Sequence, residues 1–554
     1  MAVTAARMEE MDTSQQYTLT ETSLKKALDD QFGTEDTAAT TYEIEEIEEG
    51  WKVTKTYTNT YYAIINGNGN IEIEQMAAPE VSQKYTITYE TDNGTIASTA
   101  PNEYEDGEMI DFPTPERSGY AFDGWYTDST KTGNQVVSTM GMTGNITLYA
   151  KWAEETPTDY FNWTVSNGKA TITGFSELGL SVYNDDTNEN HSKVVNLVIP
   201  KKYIEQNETE NDVTGIGVIA FKGKDKIEKL VIHDGVQSMG QTAFESCTGL
   251  KELKIPITMN YNGYWSNQNP EFKDCINIEK VTLSKGTTGE GIDYISNENY
   301  NKNNYYLTPW YLSRSKIKTI IIEEGITKLG NYAFYDQATL EKIEIPSTLI
   351  SVGEQTFYNC KNLELNTGFI KKLTSIGSFT FYNCENLTGE LEFSQEIKNI
   401  PVCCFYGCKG ITKITIHDGI QSMGQTAFAL CTELKELKIP ITMNYNGGWG
   451  NQSPEFKGCT NIEKITLSKG TTGEGIDYTY TGNANNYCSA PWYISRSSIK
   501  TVIIGEGITK VGNYTFCDLP NTVSYYARGA SGSFTIGANN GNFTTSNITY
   551  DYED

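Results

Sequence analysis

The chain has 554 residues, which is long enough for several domains. Its formal net charge of −28 at pH 7, from 43 Lys and Arg against 71 Asp and Glu, argues against nucleic acid and anionic membranes as partners, because phosphate groups are bound by basic surfaces. No stretch approaches the roughly 20 apolar residues that span a bilayer, so this sequence predicts no membrane insertion.

Residues 1–80 have the pattern of a small α+β unit. Runs of β-forming residues at 50–57, 61–65 and 71–74 predict three strands, with a turn at 66–70. The unit resembles the soluble part of a pilin-like protein that has lost its apolar helix, and an unrelated small α+β module is the alternative. Apolar residues that predict a preceding amphipathic helix, ending at Gly33, are Leu19, Leu24, Ala27, Leu28 and Phe32.

Residues 84–155 follow a linker and predict a compact β-rich module. Strand-like runs occupy 85–89, 119–126 and 148–152, with a tight turn at Asn93-Gly94. The pattern GYAFDGWY followed by LYAKW resembles the Listeria–Bacteroides repeat, seen as the B repeat of listerial internalin. That resemblance implies a small β-grasp-like stalk or protein-binding module of cell-surface proteins. We expect the aromatic residues to form its core rather than to stack on a ligand: Trp125, Tyr126 and Trp152.

Residues 156–215 and 524–554 are predicted to cap the two ends of the intervening segment. Runs at 161–165 and 169–173 predict a hairpin about Asn167-Gly168, which together with 194–200 would cover the first end. Short strands are predicted at 533–536 and 547–550. Such caps are needed because an uncapped stack of repeats would expose its apolar core.

Residues 216–523 form a repeat whose period is mostly 23 or 24 residues. After Phe244, for example, Cys247, Leu250, Leu253 and Ile255 follow at +3, +6, +9 and +11. A unit this short cannot bury its own apolar face, so successive units must stack into a solenoid. Each unit has one aromatic anchor, and the predicted anchors are Phe221, Phe244, Phe272, Tyr311, Phe334, Phe357, Phe381, Phe405, Phe428, Phe456, Tyr493 and Phe516.

The alternation around +9 and +11 predicts a short strand in each unit, and these strands would stack into a parallel sheet. Polar residues between the apolar ones, such as Glu252 and Lys254, predict a solvated outer face of mixed charge. Cysteines recurring at +3 are predicted to be small buried residues, although disulfides between rungs remain an alternative. Glycines at +19 are predicted to serve a turn that needs a permissive backbone: Gly240, Gly330, Gly353, Gly377, Gly424 and Gly512.

This repeat resembles the leucine-rich repeat of BspA-like bacterial surface proteins. The predicted fold is therefore mainly β and multidomain: a leucine-rich-repeat solenoid of stacked parallel strands, preceded by the β-grasp-like module and the α+β unit. The resemblance implies a non-enzymatic adhesin that binds a host extracellular-matrix or cell-surface protein, or another bacterial surface. We expect a monomer at an extracellular or cell-surface location. Because no export segment or sorting motif is visible, we expect a fragment; a cytoplasmic protein is the alternative.

A second, larger repeat lies inside the solenoid. The segment from His233 returns from His417, 184 residues later, almost unchanged. Both copies carry an insertion rich in aromatic residues, and insertions in solenoids are frequently binding loops. We therefore predict ligand contacts at Tyr261, Trp265, Tyr445 and Trp449, with packing of the loops on themselves as the alternative.

No motif predicts catalysis, a metal site or a cofactor. No GxSxG elbow, P-loop, HExxH or paired CxxC occurs, and two of the three histidines share one repeat position, which predicts a structural role for them. Besides adhesion, two alternatives stay open. The chain could be a spacer in a surface assembly with no ligand of its own, or, more remotely, a glycan-binding or glycan-degrading protein.

Overall fold

The structure is a computed structural model. It describes backbone strands within residues 42–75 and then residues 83–261, 271–291, 308–445, 455–476 and 490–552. The chain divides into two compact units, 1–84 and 85–554.

In the first unit, four strands form an antiparallel meander in the order β1-β2-β3-β4. Three of them confirm predicted strands, whereas the strand β1 was not predicted, and the predicted helix at 19–32 lies outside the described residues. The strands are β1 (Tyr42–Ile47), β2 (Gly50–Lys55), β3 (Thr60–Ile65) and β4 (Ile71–Gln75).

The second unit begins with a five-stranded module, which we call the N-module. Its sheet order is β6-β5-β9-β7-β8, with β5 parallel to β9 and β7 antiparallel to both β9 and β8. The strands are β5 (Lys84–Glu90), β6 (Glu103–Glu105), β7 (Tyr120–Tyr126), β8 (Gln135–Val136) and β9 (Ile146–Glu154).

The N-module has a hydrophobic core of its own. Trp125 is 1% exposed, and its indole N–H donates to the carbonyl of Pro113 at 2.8 Å. Tyr126 is buried, and Trp152 is half-buried and donates to the carbonyl of Thr91 at 2.9 Å. The expectation of a core role is confirmed for Trp125 and Trp152, whereas Tyr126 is buried outside this core cluster. Strands of the same 70-residue stretch close this core, while Met109 and Met140 of the module pack against the solenoid core instead. Because its own core is complete within that stretch, we expect the N-module to fold by itself.

The predicted hairpin covers the first end of the solenoid. Its two-residue turn has positive φ at Asn167 (52°) and Gly168 (73°), as a type I′ turn requires. Phe161 and Phe175 pack edge-on against Phe221, the first anchor, at ring-centroid distances of 6.1 and 5.0 Å. The elements here are β10 (Phe161–Ser166), β11 (Lys169–Phe175), α1 (Glu177–Asn184), α2 (His191–Val195), β12 (Asn196–Val198), β13 (Lys202–Ile204) and β14 (Glu210–Ile216).

The solenoid has a long-strand face made of parallel strands stacked in register, as predicted. It continues from a six-stranded sheet into an eight-stranded one, linked by a bridge between Lys342 and Glu364. Its strands after β12 are β15 (Lys229–Val231), β17 (Glu252–Pro256), β19 (Lys280–Ser284), β20 (Thr319–Ile322), β22 (Lys342–Glu344), β24 (Leu365–Asn366), β26 (Leu387–Glu392), β28 (Ile411–Thr415), β30 (Glu436–Pro440), β32 (Lys464–Ser468), β33 (Thr501–Ile504), β35 (Ser524–Ala527) and β37 (Ile548–Thr549).

A second row of two-residue strands forms the short-strand face on another side of each unit. These strands also pair in parallel with the next unit, for example Ser351 and Val352 with Ser375 and Ile376. They are β16 (Ser238–Met239), β18 (Asn260–Tyr261), β21 (Lys328–Leu329), β23 (Ser351–Val352), β25 (Ser375–Ile376), β27 (Asn399–Ile400), β29 (Ser422–Met423), β31 (Asn444–Tyr445), β34 (Lys510–Val511) and β36 (Thr535–Ile536). The predicted C-terminal strands are thus further rungs of both faces.

The anchor rings stack along the solenoid axis. Phe357 and Phe381 lie 5.4 Å apart, and Phe381 and Phe405 lie 5.5 Å apart, with nearly parallel rings. Each +3 cysteine is buried, and its thiol points at the carbonyl of the preceding anchor, as in Cys408 Sγ to Phe381 O at 3.1 Å. The seven +3 cysteines are free thiols, which confirms their predicted role as buried residues.

Two predicted anchors were wrong by one residue. Trp310 and Trp492, rather than Tyr311 and Tyr493, belong to the solenoid core cluster and stack on the next anchors, at 5.8 and 6.0 Å; Tyr311 is also buried, but it lies outside that cluster. Each indole N–H also donates to a carbonyl of the next unit, at 3.0 and 2.9 Å. The larger ring therefore joins the stack of anchors, and the tyrosine lies in the 3₁₀ turn that follows it.

The +19 glycines were predicted for the wrong reason. None of the six has a positive φ. A Cβ on Gly240 or Gly424 would lie 2.3 Å from the backbone nitrogen of the preceding unit, so glycine is required for close approach of two rungs. Positive φ occurs instead on both sides of most phenylalanine anchors, as at Gln355 (53°) and Asn359 (62°) around Phe357.

Candidate functional site

Four tyrosines form a row on the turn edge of the solenoid, each directly after an anchor phenylalanine. Their rings stack almost parallel, with centroid distances of 4.9, 4.7 and 4.6 Å. These distances equal the spacing of stacked strands, because the same residue type recurs at the same repeat position. Each ring is half-buried, so one side of the row is accessible to solvent. The tyrosine row comprises Tyr335, Tyr358, Tyr382 and Tyr406.

Flanking rings widen the tyrosine row. Tyr332 and Phe379 lie 5.8 and 6.0 Å from Tyr335 and Tyr382, and both adopt the left-handed backbone conformation that precedes the anchor. Burial between its neighbours raises the pKa of Tyr382, so its hydroxyl stays a neutral donor and acceptor. The result is a ribbon of aromatic surface with hydroxyl groups, a combination that is enriched in protein-binding sites.

The sequence reasoning missed this row, although a signal existed. A tyrosine follows the anchor in four successive units, at Tyr335, Tyr358, Tyr382 and Tyr406, and in two of them the triplet is Tyr-Asn-Cys. Only the structure shows that these tyrosines lie on the surface and in contact with one another.

The predicted contact residues are only partly described. The backbones of Tyr261 and Tyr445 lie in the short strands β18 and β31, which pair with Met239 and Met423 in the same register. Trp265 and Trp449 lie outside the described residues. Because units stack in chain order, β18 and β31 themselves lie before and after the tyrosine row along the solenoid.

The long-strand face of the first duplicated block is covered by the N-module. Asp123 of β7 forms a 2.6 Å ion pair with Lys229 of β15, and both side chains are largely buried, at 10% and 18% exposure. Lys254 of β17 donates to the carbonyl of Phe122 at 2.9 Å, and Lys280 of β19 donates to the side chain of Gln135 at 3.1 Å. The prediction of a solvated outer face was therefore wrong for this block.

Further contacts extend this interface along the solenoid. The carboxylate of Asp111 accepts the backbone N–H groups of Ser347 and Thr348, the latter at 3.1 Å. Burial raises the pKa of Asp111, and these two N–H bonds oppose that effect. Lys372 reaches the carbonyl of Met109 at 3.3 Å. The N-module thus lies across several rungs and is held by these polar contacts together with apolar ones, in which Met109 and Met140 pack against the solenoid core and Ala121 and Ala153 contact Val198 and Val231.

The equivalent face of the second block is open to solvent. Thr282 and Ser284 in β19 are 6% and 4% exposed, whereas their duplicates Thr466 and Ser468 in β32 are half-exposed. The side chain of Lys229 is 18% exposed, and that of its duplicate Lys413 is 36% exposed. Two copies of nearly one sequence therefore differ in whether a folded module covers them.

The histidines and cysteines serve structural roles in the described residues. The ring of His417 accepts the N–H of Gly419 through Nδ1 at 3.1 Å, and its Nε2 lies 2.9 Å from the carbonyl of Ser394. His233 has the same arrangement. Within the described ranges, no group of three or more His, Cys, Asp or Glu side chains is placed to hold a metal ion. The helices found there are too short and too polar to cross a bilayer.

A buried carboxyl recurs at the duplicated positions Glu271 and Glu455. These side chains are 4% and 3% exposed, and one carboxyl oxygen of each has no hydrogen-bond partner among the described residues. Burial raises the pKa of each to about 7.

Comparison with known proteins gives two family matches. Residues 214–364, 310–388 and 365–475 match the BspA type leucine rich repeat region, in six copies, and residues 85–151 match the Listeria-Bacteroides repeat domain. The predicted resemblances, including the β-rich leucine-rich-repeat fold, are confirmed.

Two putative membrane proteins of Evansella cellulosilytica are similar over short segments. One is 35% identical over 100 residues, covering 18% of this chain and 14% of that protein. The other, a putative Gly-rich membrane protein, is 39% identical over 70 residues, covering 12% and 8%. The chain therefore spans less than a sixth of the length of these curated relatives.

Solved structures of bacterial leucine-rich-repeat proteins are also similar. A leucine-rich repeat protein from Bacteroides ovatus is 20% identical, with a TM-score of 0.38, covering 71% of this chain and 89% of that chain. A leucine rich cell surface protein from Faecalibacterium prausnitzii is 15% identical, with a TM-score of 0.28, covering 72% and 98%.

Proposed function

Because the chain is a BspA-type leucine-rich-repeat protein with a Listeria–Bacteroides repeat domain, which supports a protein-interaction or surface role, we propose that it is a non-enzymatic adhesin. Its ligand is a host extracellular-matrix or cell-surface protein, or a protein on another bacterial surface. The location is extracellular or at the cell surface. In support, Cys517 is disulfide-bonded, and disulfides persist in oxidising compartments.

The tyrosine row is the observation that carries this proposal. A half-exposed ribbon of stacked rings offers a large contact area at low entropic cost, because each ring is already held by its neighbours. We assign the primary contacts to Tyr358 and Tyr382 at its centre. Tyr261 with Trp265 and Tyr445 with Trp449 supply secondary contacts.

The test is binding of the full chain to an array of matrix proteins, cell-surface proteins and glycans. For a protein ligand found in this way, the double variant Tyr358→Ser/Tyr382→Ser is expected to weaken binding at least tenfold, since interface tyrosines commonly contribute more than about 1 kcal/mol each. The variant Trp265→Ala/Trp449→Ala is expected to weaken it less.

Tyr526→Ser is the matched control. Tyr526 is also half-exposed and also packs on another tyrosine, Tyr552 at 4.3 Å, but it lies on the long-strand face. Equal binding by the control and the double variant would exclude the tyrosine row as the site. If the full chain binds no member of the array, the result favours the spacer function instead.

A further inference from the structure

The first block shows how the solenoid holds a small β module. Three lysines in adjacent strands, Lys229, Lys254 and Lys280, reach an aspartate, a backbone carbonyl and a side-chain amide of the N-module. The lysine row therefore binds acceptor groups of a folded domain. This contact is made within one chain, so it demonstrates what chemistry the face recognises.

The second block repeats this lysine row in the same register. Lys229 pairs across the sheet with Glu252, and its duplicate Lys413 pairs with Glu436. The other two lysines recur as Lys438 and Lys464, in strands β30 and β32. Lys438 is exposed and Lys464 half-exposed, so both are available to a partner.

A hollow beside the lysines is present in both blocks. In the second block it has a volume of about 390 Å³ and is lined by residues that include Asp418, Lys438, Ser468 and Lys469. The duplicates of these residues line a larger hollow of about 780 Å³ in the first block, where Phe122 and Trp152 of the N-module form its other wall. The open hollow is thus the solenoid side of the first block's hollow, without the wall that the N-module supplies.

From this duplication we propose that the open face of the second block is a docking site for a second Listeria–Bacteroides-type module, supplied by another protein. The inference concerns the long-strand face and is independent of the tyrosine row. A module of another copy of this chain is a poorer occupant, because each copy already holds its own module at a high effective concentration.

Substitutions between the two blocks indicate the chemistry of this partner. Glu323, which forms a 2.6 Å ion pair with Lys254 in the first block, is replaced by Gly505 in the second, so Lys438 lacks this partner and favours an acidic group on the incoming module. Val198, which contacts Ala121 and Ala153 of the N-module, is replaced in register by Glu392. The partner should therefore carry a basic residue where the N-module has Ala121 or Ala153.

Lys413 already has a partner in its own chain, which limits the affinity of the open face for an incoming module. It forms a 2.9 Å ion pair with Glu390, but the two side chains are 36% and 59% exposed. Exposed pairs of this kind contribute little, so a carboxylate of an incoming module can compete for this lysine. The docking is accordingly expected to be weaker than that of the N-module in the first block.

The test uses the isolated N-module, residues 84–155, as the titrant and the full chain as the receptor, followed by calorimetry. Folding of the titrant is checked by the near-ultraviolet dichroism of Trp125. Saturable binding of one titrant per chain is expected, and Ala153→Lys in the titrant should tighten it at least threefold through Glu392. In the receptor, Lys438→Glu/Lys464→Glu should weaken binding at least tenfold.

The control receptor is Lys398→Glu/Lys510→Glu, which makes the same change of charge at two exposed lysines beside β27 and in β34, on the short-strand face. It should keep binding at the second block, since neither lysine lies on the long-strand face. No binding of either titrant at millimolar concentration would overturn the proposal. Binding that is lost only in the control receptor would also overturn it, because the titrant would then be bound by the short-strand face. If the full chain self-associates, and Lys438→Glu/Lys464→Glu abolishes this association, the occupant of the open face is a second copy of the chain and not another protein.

Discussion

Removal of the Lys229 amine is predicted to release the N-module from the solenoid. Its partner Asp123 is 10% exposed, so in Lys229→Ala a carboxylate would be left buried and without its counter-charge. Breaking a buried ion pair from one side typically costs about 3–5 kcal/mol. We take the lower value, about 3 kcal/mol, because Lys229 also lies 3.5 Å from Glu252 and so is not paired with Asp123 alone. Since 1.4 kcal/mol is a factor of ten, the equilibrium constant for docking of the N-module should fall roughly 150-fold.

Amide hydrogen exchange measures this release directly. The N–H groups of Ser347 and Thr348 donate to Asp111 of the N-module, so they are protected by this bond only while the module is docked. Their protection should fall in Lys229→Ala by about the factor by which docking weakens. Amides inside the solenoid sheet, such as that of Ile320 in β20, should keep their protection.

Lys413→Ala is the matched control, because it changes the duplicated lysine on the open face. The ion pair of Lys413 with Glu390 is exposed, and its loss should cost at most about 1 kcal/mol. Protection of Ser347 and Thr348 should not change in this variant. Equal loss of protection in both variants, or in neither, would refute the reasoning that burial of the Asp123 pair holds the module.

Three further predictions concern stability. Burial raises the pKa of Glu455 to about 7, so the folded state binds this proton more tightly than the unfolded state does. The free energy of unfolding is therefore highest below pH 4.5 and falls as the pH rises to 7. Glu455→Gln should remove this loss of stability, which amounts to about 3 kcal/mol for a pKa difference of about 2.5 between the folded and unfolded states. Urea unfolding of both proteins at pH 5 and pH 8 measures the effect, and an identical pH dependence in the two proteins would contradict the prediction. Trp492→Ala should cost about 3–5 kcal/mol and Tyr493→Ala less than half as much, because only the tryptophan fills the core; thermal unfolding that ranks them in reverse would restore the tyrosine as anchor. Gly424→Ala should lower the melting temperature clearly, whereas a variant with the wild-type melting temperature would show that the rung at Val402 can move aside.

The repeating positions were predictable because the information they carry is local. A period of 23 or 24 residues with apolar residues at fixed offsets allows one solution, stacked units with the apolar side chains inside. Burial of Cys408 and the structural role of His417 follow from the same equivalence, since a residue repeated in register meets the same surroundings in each unit. The short strands and the hairpin turn at Asn167 followed from alternation and turn chemistry.

Where two neighbouring residues compete for one place, sequence was not sufficient. Trp492 and Tyr493 are both aromatic, and only packing density decides which ring fills the core and which stays half-buried. The +19 glycines show the same limit. A glycine can be required for its backbone angle or for lack of a side chain, and only the 2.3 Å approach of the neighbouring rung at Gly424 separates the two reasons.

The sequence by itself determined the solenoid, its period, the burial of the +3 cysteines and the family of the N-module. The first three depend on contacts between equivalent positions of adjacent units, and the last on a motif within one short stretch of chain. The tertiary structure decided which surfaces are covered. The lysine rows of the two blocks are nearly identical in sequence, yet Lys229 lies under the N-module and Lys413 faces solvent. That difference arises from a contact between segments more than 100 residues apart, such as Asp123 with Lys229, and no local pattern encodes it.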